Sequence, residues 1–183
     1  MLDRTARVGR AAGTLIALLL CGQWAAAIDA PRRAVLPSNG AQATASVERD
    51  IERARAATAP FKSLDAAVAA GYGRDGGQCL DHPPHGAMGY HHQHDALLDD
   101  RIEVERPEIL VYERLPNGDY RLNGVEYIVP FSARPETARP PVVMGQPLKS
   151  HRGLQIWYLH VWIWTENPSG LFADWNPRVT CDR

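Results

Sequence analysis

The sequence predicts an α+β domain, with N-terminal helices packed on a mostly antiparallel sheet and one disulfide. Apolar residues recur at helical spacing before Gly71, which predicts helices in that part of the chain. From residue 109 onward, apolar and polar residues alternate on both sides of a turn. A later run, Leu154 to Trp164, is rich in β-branched and aromatic side chains. The helices therefore come first and the sheet follows.

Residues 1–27 have the order of a secretory signal peptide. Arginines among the first ten residues precede an apolar run from Ala11 to Cys21, and small residues follow up to Ala27. The apolar run is shorter than the roughly 20 residues that a membrane span needs, so no stable membrane insertion is expected after cleavage. Ala30 is the alternative cleavage site. Lipid attachment at Cys21 is a competing interpretation, but a large residue stands before this cysteine.

The exported chain is expected to be periplasmic or secreted, with a flexible leader over residues 28–43 and a single globular domain over residues 44–183. The full chain has a net charge of −1, and the signal peptide removes three arginines and one aspartate, which leaves −3. Such a weak charge predicts no nucleic-acid partner and no binding to an anionic membrane.

Two helices are predicted before the sheet. The first begins at a cap at Thr44 or Ser46 and ends or kinks at Pro60, because the apolar residues between them are three or four positions apart. The second begins at the cap Ser63 and stops at Gly71. Both are expected to cover one side of the sheet.

The clearest β-hairpin joins Ile109–Glu113 to Tyr120–Pro130 through the turn at residues 115–119, with Gly124 as a possible bulge. A proline-rich connector over residues 133–147 is expected to wrap the surface or form a lid, because proline cannot donate to a sheet ladder. The run Leu154 to Trp164 predicts a strand buried on both faces, and the aromatic tail after it is expected to pack back on the sheet.

Two cysteines, Cys79 and Cys181, remain after signal cleavage. An even pair in an exported protein predicts a disulfide. The alternative, two soft metal ligands, is disfavoured because the cysteines lack close CxxC spacing.

Histidines are concentrated in one segment that is expected to be a loop. Imidazole suits zinc and copper, so several rings in one loop could hold an ion. The spacing matches neither a zinc-protease nor a zinc-finger motif, and in an extended chain His92 and His94 would face away from His91. A site would thus use a subset, and the others could be solvated loop residues. Five of the seven histidines lie here: His82, His85, His91, His92 and His94.

Glu126 and His160 each interrupt an otherwise apolar predicted strand. A buried carboxylate or imidazole must be paired to be tolerated, although His160 could be a satisfied core histidine and Glu126 could lie on a solvent face. With His91 they would supply two imidazoles and one carboxylate, a donor set that leaves open positions on a divalent metal. The predicted metal ligands are these three residues, with His94 and His85 from the histidine segment.

Several strings in the mature chain resemble a family of uncharacterised secreted bacterial proteins with no assigned activity. The resemblance implies export and a single domain, and His91, Glu126 and His160 fall within its strings. In that family Tyr-Val-Asn usually follows the first histidine, whereas this chain has His92, Gln93 and His94, which makes the extra histidines peculiar to this protein. The strings are GAMGYH at 86–91, VEYIVP at 125–130, LHVWIW at 159–164 and NPSGLFADWNP at 167–177.

Three functions remain open on these residues. The first is an exported metal-binding protein that holds zinc or copper through His91 and its neighbours. The second is a metal-dependent enzyme with a His91, Glu126 and His160 site, supported by Asp174 and Tyr158. No sequence motif defines its reaction or its catalytic residues. The third is a metal-free protein that binds a small molecule among Trp157, Trp162, Trp164 and Trp175, although aromatic residues in a strand are more often core.

Overall fold

Two α-helices precede a six-stranded antiparallel sheet in the computed structural model, which describes residues 39–181. The sheet order is β1-β2-β3-β4-β8-β7, and β5 pairs with β6 in a separate two-stranded sheet. The predicted α+β class with one disulfide is confirmed. The predicted signal peptide and the leader up to residue 38 lie outside the described residues. The strands are β1 Leu80–Asp81, β2 Ala87–Gln93, β3 Ile109–Arg114, β4 Tyr120–Pro130, β5 Val142–Val143, β6 Gln146–Pro147, β7 Lys149–His151 and β8 Ile156–Val161.

The first helix, α1, begins earlier than predicted. It spans Asn39–Thr58, so neither Thr44 nor Ser46 is its N-cap. The Thr44 hydroxyl instead donates to the Gly40 carbonyl one turn back, at 3.0 Å, which is how threonine satisfies its hydroxyl inside a helix. A short 3₁₀ turn, Ala59–Lys62, follows the helix.

The second helix, α2, spans Leu64–Ala69 and has the predicted ends. The Ser63 hydroxyl accepts a hydrogen bond from the Ala66 amide, at 3.4 Å, and so caps the helix. Gly71, with φ of 107°, adopts a backbone conformation that favours glycine and terminates this segment. Ala54 and Ala67 are fully buried where the two helices pack on the main core.

The predicted hairpin is confirmed as β3 and β4, and it contains a bulge. Val111 pairs with Gly124 but Tyr112 pairs with Leu122, so Asn123 is the extra residue. A Cβ on Gly124 would lie 2.7 Å from the Val161 carbonyl oxygen, so the close approach of β4 to β8 at this point requires glycine.

The predicted strand at 154–164 is shorter, Ile156–Val161, and lies between β4 and β7. Its side chains alternate between two apolar clusters. Trp157, Leu159 and Val161 join the main core beneath the helices, whereas Tyr158 packs in a smaller cluster on the other face.

The proline-rich connector contains more regular structure than predicted. Val142 pairs with Pro147 and Val143 with Gln146, which forms the two-stranded sheet of β5 and β6. This ladder is possible because Pro147 lies at the end of its strand, where the missing amide costs no interior hydrogen bond. Met144 and Val143 are buried, so the connector contributes to the core.

The C-terminal tail packs back on the sheet, as predicted. Ala87 and Asn176 form an isolated antiparallel bridge, and the disulfide joins Cys79 to Cys181 with a Cα–Cα distance of 5.7 Å. The tail is therefore held to the beginning of β2 by hydrogen bonds and to the residue before β1 by a covalent bond. Within the described residues, no helix is long and apolar enough to cross a membrane.

Replacing Cys79 and Cys181 together by serine is expected to lower the free energy of unfolding by about 4 kcal/mol, because the disulfide closes a loop between residues 102 positions apart. Urea unfolding of the oxidised wild type and the double variant measures the difference. A reducing agent should lower the midpoint of the wild type and leave that of the variant unchanged. Equal midpoints for the two oxidised proteins would contradict the prediction.

Glu108 is buried, and its carboxylate accepts a hydrogen bond from the Ile128 amide at 3.1 Å. Burial is the main cause that raises the pKa of this carboxyl from 4.5 to about 8, and nearby Asp99 and Glu103 raise it further. Between these pH values the folded protein holds a proton that the unfolded chain has lost. Stability therefore falls as the pH rises through this interval.

Between about pH 5 and pH 8, titration of Glu108 should lower the free energy of unfolding of the wild type by roughly 1.4 kcal/mol per pH unit. We expect Glu108→Gln to abolish this contribution to the pH dependence. Glutamine has the size of glutamate and can still accept the amide hydrogen bond, but it does not titrate. Urea unfolding over this pH range measures the slope. The matched control is Glu48→Gln, on an exposed position of α1, which should leave the slope unchanged. An unchanged slope in Glu108→Gln would show that its carboxyl is ionised in the folded protein.

Candidate metal centre

The predicted residues His91, Glu126 and His160 come together on one face of the sheet. They lie on β2, β4 and β8, and Glu126 is the direct cross-strand neighbour of His160. In the sheet order, β3 and β4 separate β2 from β8. A flat sheet would place those strands roughly 14 Å apart, at about 4.8 Å per strand.

The sheet is therefore curled, with these residues on its concave face, because the Nε2 atoms of His91 and His160 are only 3.1 Å apart. The bulge at Asn123 contributes to the curl, since bulges bend a strand and increase its twist. The backbone carbonyl of Asn123 accepts hydrogen bonds from the amides of Trp164 and Thr165, both at 3.0 Å. The bulge thus also holds the segment that follows β8.

The donor atoms have separations that suit a common metal ion. His91 Nε2 lies 3.6 Å from Glu126 Oε2, and His160 Nδ1 lies 3.7 Å from Glu126 Oε1. One atom from each residue falls within 4.8 Å of the other two. Ligands about 2.1 Å from a tetrahedral ion are about 3.4 Å apart, so each imidazole lies near this spacing from one of the two oxygens of Glu126. The cluster could therefore hold a metal ion.

Burial sets the protonation of the cluster. Loss of solvation lowers the pKa of His91 to about 4, partly opposed by a hydrogen bond to the Gly89 carbonyl, and lowers the pKa of His160 strongly. Loss of solvation, together with the nearby Asp174, raises the pKa of Glu126 to about 8. Both imidazoles are thus neutral at neutral pH, which is the state that binds metals.

One nitrogen in the cluster has no hydrogen-bond partner among the residues that the structure describes. His160 Nδ1 is buried, and its nearest acidic oxygens, on Glu126 and Asp174, are 3.7 and 3.9 Å away. A buried polar atom without a partner has an uncompensated desolvation cost. A metal ion bound at His160 Nδ1 would offset this desolvation cost.

Asp174 and Tyr158 lie beside the cluster, where they can orient its rings. The Tyr158 hydroxyl donates to Asp174 Oδ2 at 3.4 Å, and Lys149 forms a salt bridge with the same carboxylate. The ring of Trp162 stacks on the ring of His160 with an interplanar angle of 13°. Such neighbours limit the positions that a ligand ring can adopt.

The structure groups neither His94 nor His85 with these three residues. The predicted histidine loop is largely a strand, β2, so its side chains alternate between the two faces of the sheet. His94 Nε2 is hydrogen-bonded to the Ala70 carbonyl at 3.0 Å, on the helix side. His85 stacks on His82, in the turn before the strand. The expectation of a flexible loop is wrong because β2 pairs with both β1 and β3.

The three residues line a cleft of about 480 Å³ on the concave face. The cleft also contains His151, which the sequence analysis did not single out, although it is one of only two histidines outside the 82–94 segment. Trp175 is the one tryptophan of the predicted aromatic pocket that lines it. Trp157 and Trp162 are buried in two different apolar clusters, so the predicted tryptophans do not surround one pocket.

The fold and the site define a curled α+β domain with a His/Glu/His cluster that could hold a metal ion. Comparison of the chain with family models, with curated proteins and with solved structures returns no match. The geometry of the cluster and its cleft is therefore the basis for assigning a function.

Proposed function

We propose that this protein is an exported binding protein for a divalent transition metal, held by His91, Glu126 and His160. The observation that supports it is the convergence of these three donors, from three strands, in one cleft. Polar residues in buried strand positions lower the stability of a fold unless they are paired, which favours a functional reason for placing three of them together.

Zinc or copper is the proposed ion. Imidazole nitrogen and carboxylate oxygen are donors that both ions accept. Both mature cysteines are used in the disulfide, so the alternative in which they bind a soft metal ion is excluded. Three protein donors leave at least one coordination position for water or another molecule.

Export is supported by two independent features. The disulfide between Cys79 and Cys181 is of a kind that persists outside the reducing cytoplasm. The N-terminal order of charged, apolar and small residues predicts a signal peptide. We propose that the metal is bound in the periplasm or the medium.

A metal-dependent enzyme is the second candidate, and the cleft favours it. A carrier or buffer needs only a closed set of ligands, whereas this cluster lines a cavity of about 480 Å³. An ion with an open position on such a cavity can activate a bound water or polarise a substrate. Tyr158 and Asp174 are then the nearest groups able to orient a reactant.

The mature, untagged wild type is expected to bind one zinc or copper ion per chain, as measured by elemental analysis and isothermal titration. Loss of a residue that only orients a metal ligand weakens metal binding by roughly 10–100-fold. His91→Ala and His160→Ala should each weaken metal binding by more than this, because each removes a direct ligand. Glu126→Gln should also weaken it, because an amide oxygen carries no charge. Urea unfolding of each variant shows whether its fold is retained.

The matched control is His85→Ala, which removes a histidine from the same segment but outside the cluster. This variant should keep wild-type affinity. If His85→Ala loses the ion while His160→Ala keeps it, the metal is bound by the histidine segment and the proposed site is wrong. No binding by the wild type at micromolar ion would overturn the proposed function.

A further inference from the structure

The cleft above the metal cluster is mostly apolar. Its polar residues include His91, Glu126 and His160. Most of the other residues that line it are aliphatic, methionine or aromatic. Cavities of roughly 300–1,000 Å³ with a few converging polar groups are typical of sites for small organic molecules, and a volume of about 480 Å³ falls in this range. The aliphatic and methionine residues are Leu80, Met88, Ile109, Ile128, Leu154 and Ile156.

Two residues of this wall are exposed. Leu80 is 43% and Leu154 is 65% exposed, and among the described residues Val142 is the only other large hydrophobic residue that is exposed. Two of these three side chains thus lie at one cleft. Exposed apolar side chains that cluster at a cavity, rather than being scattered, indicate a surface that contacts another apolar group.

The charged residues of the cleft indicate which polar group a bound small molecule would carry. Among the described residues that line it there is no lysine or arginine, and Glu126 is the only acidic one. A divalent ion bound by one carboxylate and two neutral imidazoles has a net charge of about +1. A ligand with a single negative charge on oxygen would neutralise that charge and fill an open coordination position.

We infer that the cleft binds a small monocarboxylic acid with an apolar body, whose carboxylate coordinates the ion and whose body lies against Leu80, Met88, Leu154 and their neighbours. This inference rests on the proposed metal site and adds the chemical class of its ligand. It applies equally to a cargo that is carried together with the metal and to the substrate of an enzyme.

The test uses the mature protein loaded with Co²⁺, whose visible absorption changes when a ligand enters its coordination shell. Three probes are titrated by calorimetry and by absorption: 2-naphthoate, acetate and 2-naphthalenemethanol. Acetate has the carboxylate without the apolar body, and the alcohol has the body without the charge. We expect 2-naphthoate to bind at least about tenfold more tightly than either and to change the cobalt spectrum.

A matched set of variants tests the wall. Leu80→Ser with Leu154→Ser should weaken 2-naphthoate binding by about tenfold, because apolar contact area is lost, and should leave acetate and cobalt affinities unchanged. Val142→Ser is the control, since this residue is exposed to a similar degree but does not line the cleft. It should bind all three probes like the wild type.

Each failure has a different meaning. If none of zinc, copper and Co²⁺ binds, the proposed function is overturned and the inference falls with it. If zinc binds and Co²⁺ does not, the three probes are compared by calorimetry on the zinc-loaded protein, with the same expected order of affinity. If Co²⁺ binds but acetate binds as tightly as 2-naphthoate, the metal site stands and the apolar ligand is wrong. If the alcohol binds as tightly as 2-naphthoate, or if 2-naphthoate binds without changing the spectrum, the carboxylate does not reach the ion and the inference is wrong.

Discussion

The curl of the sheet is the constraint on which the site depends. His91 and His160 belong to strands that β3 and β4 separate, and only a concave face brings their Nε2 atoms to 3.1 Å from each other. The bulge at Asn123 and the close approach of Gly124 to β8 bend the sheet at its centre. Next to the edge strand β1, the tail holds the start of β2 through the Ala87 to Asn176 bridge. The disulfide closes the same end of the molecule.

The two faces of the sheet have different roles. The face beneath the helices is an apolar core that includes Leu110, Tyr127 and Leu159, each almost completely buried. The concave face places Glu126 and His160 at positions nearly as buried, where their desolvation is costly. The first face stabilises the fold, and this stability allows the second face to carry groups that lower it. Such a division is expected of a binding site built on a rigid scaffold.

The position of the cluster within a cleft has a chemical consequence. Burial lowers the pKa of His91 and His160, so both rings are neutral and each keeps one nitrogen lone pair that a cation could bind. Lys149 offsets the charge of Asp174 beside them, and Tyr158 shares the same carboxylate. A cation in the cluster would meet two imidazoles that are already neutral, whereas Glu126, whose pKa burial raises to about 8, would release a proton on binding.

Local patterns in the sequence were enough to predict the hairpin of β3 and β4, the cap at Ser63 and the disulfide. Each depends on residues close in the chain or on a simple count of cysteines. The start of α1 was not predicted, because the residues before Thr44 have no apolar periodicity, yet the backbone there continues the helix. The pairing of β5 with β6 was also missed, since two-residue strands have too few residues to show alternation.

The sequence singles out Glu126 and His160 because each is a polar residue in an apolar strand, and it singles out His91 because this residue follows the small-residue string GAMG in the histidine-rich segment. Which other histidines join them depends on whether the histidine segment is a loop or a strand, and the fold makes most of it a strand. Strand alternation directs His92 and His94 to the helix side, where backbone carbonyls bind their rings. The curl and the cleft arise from a bulge, a close glycine contact and a returning tail. These are long-range contacts, and no local period in the sequence encodes their geometry.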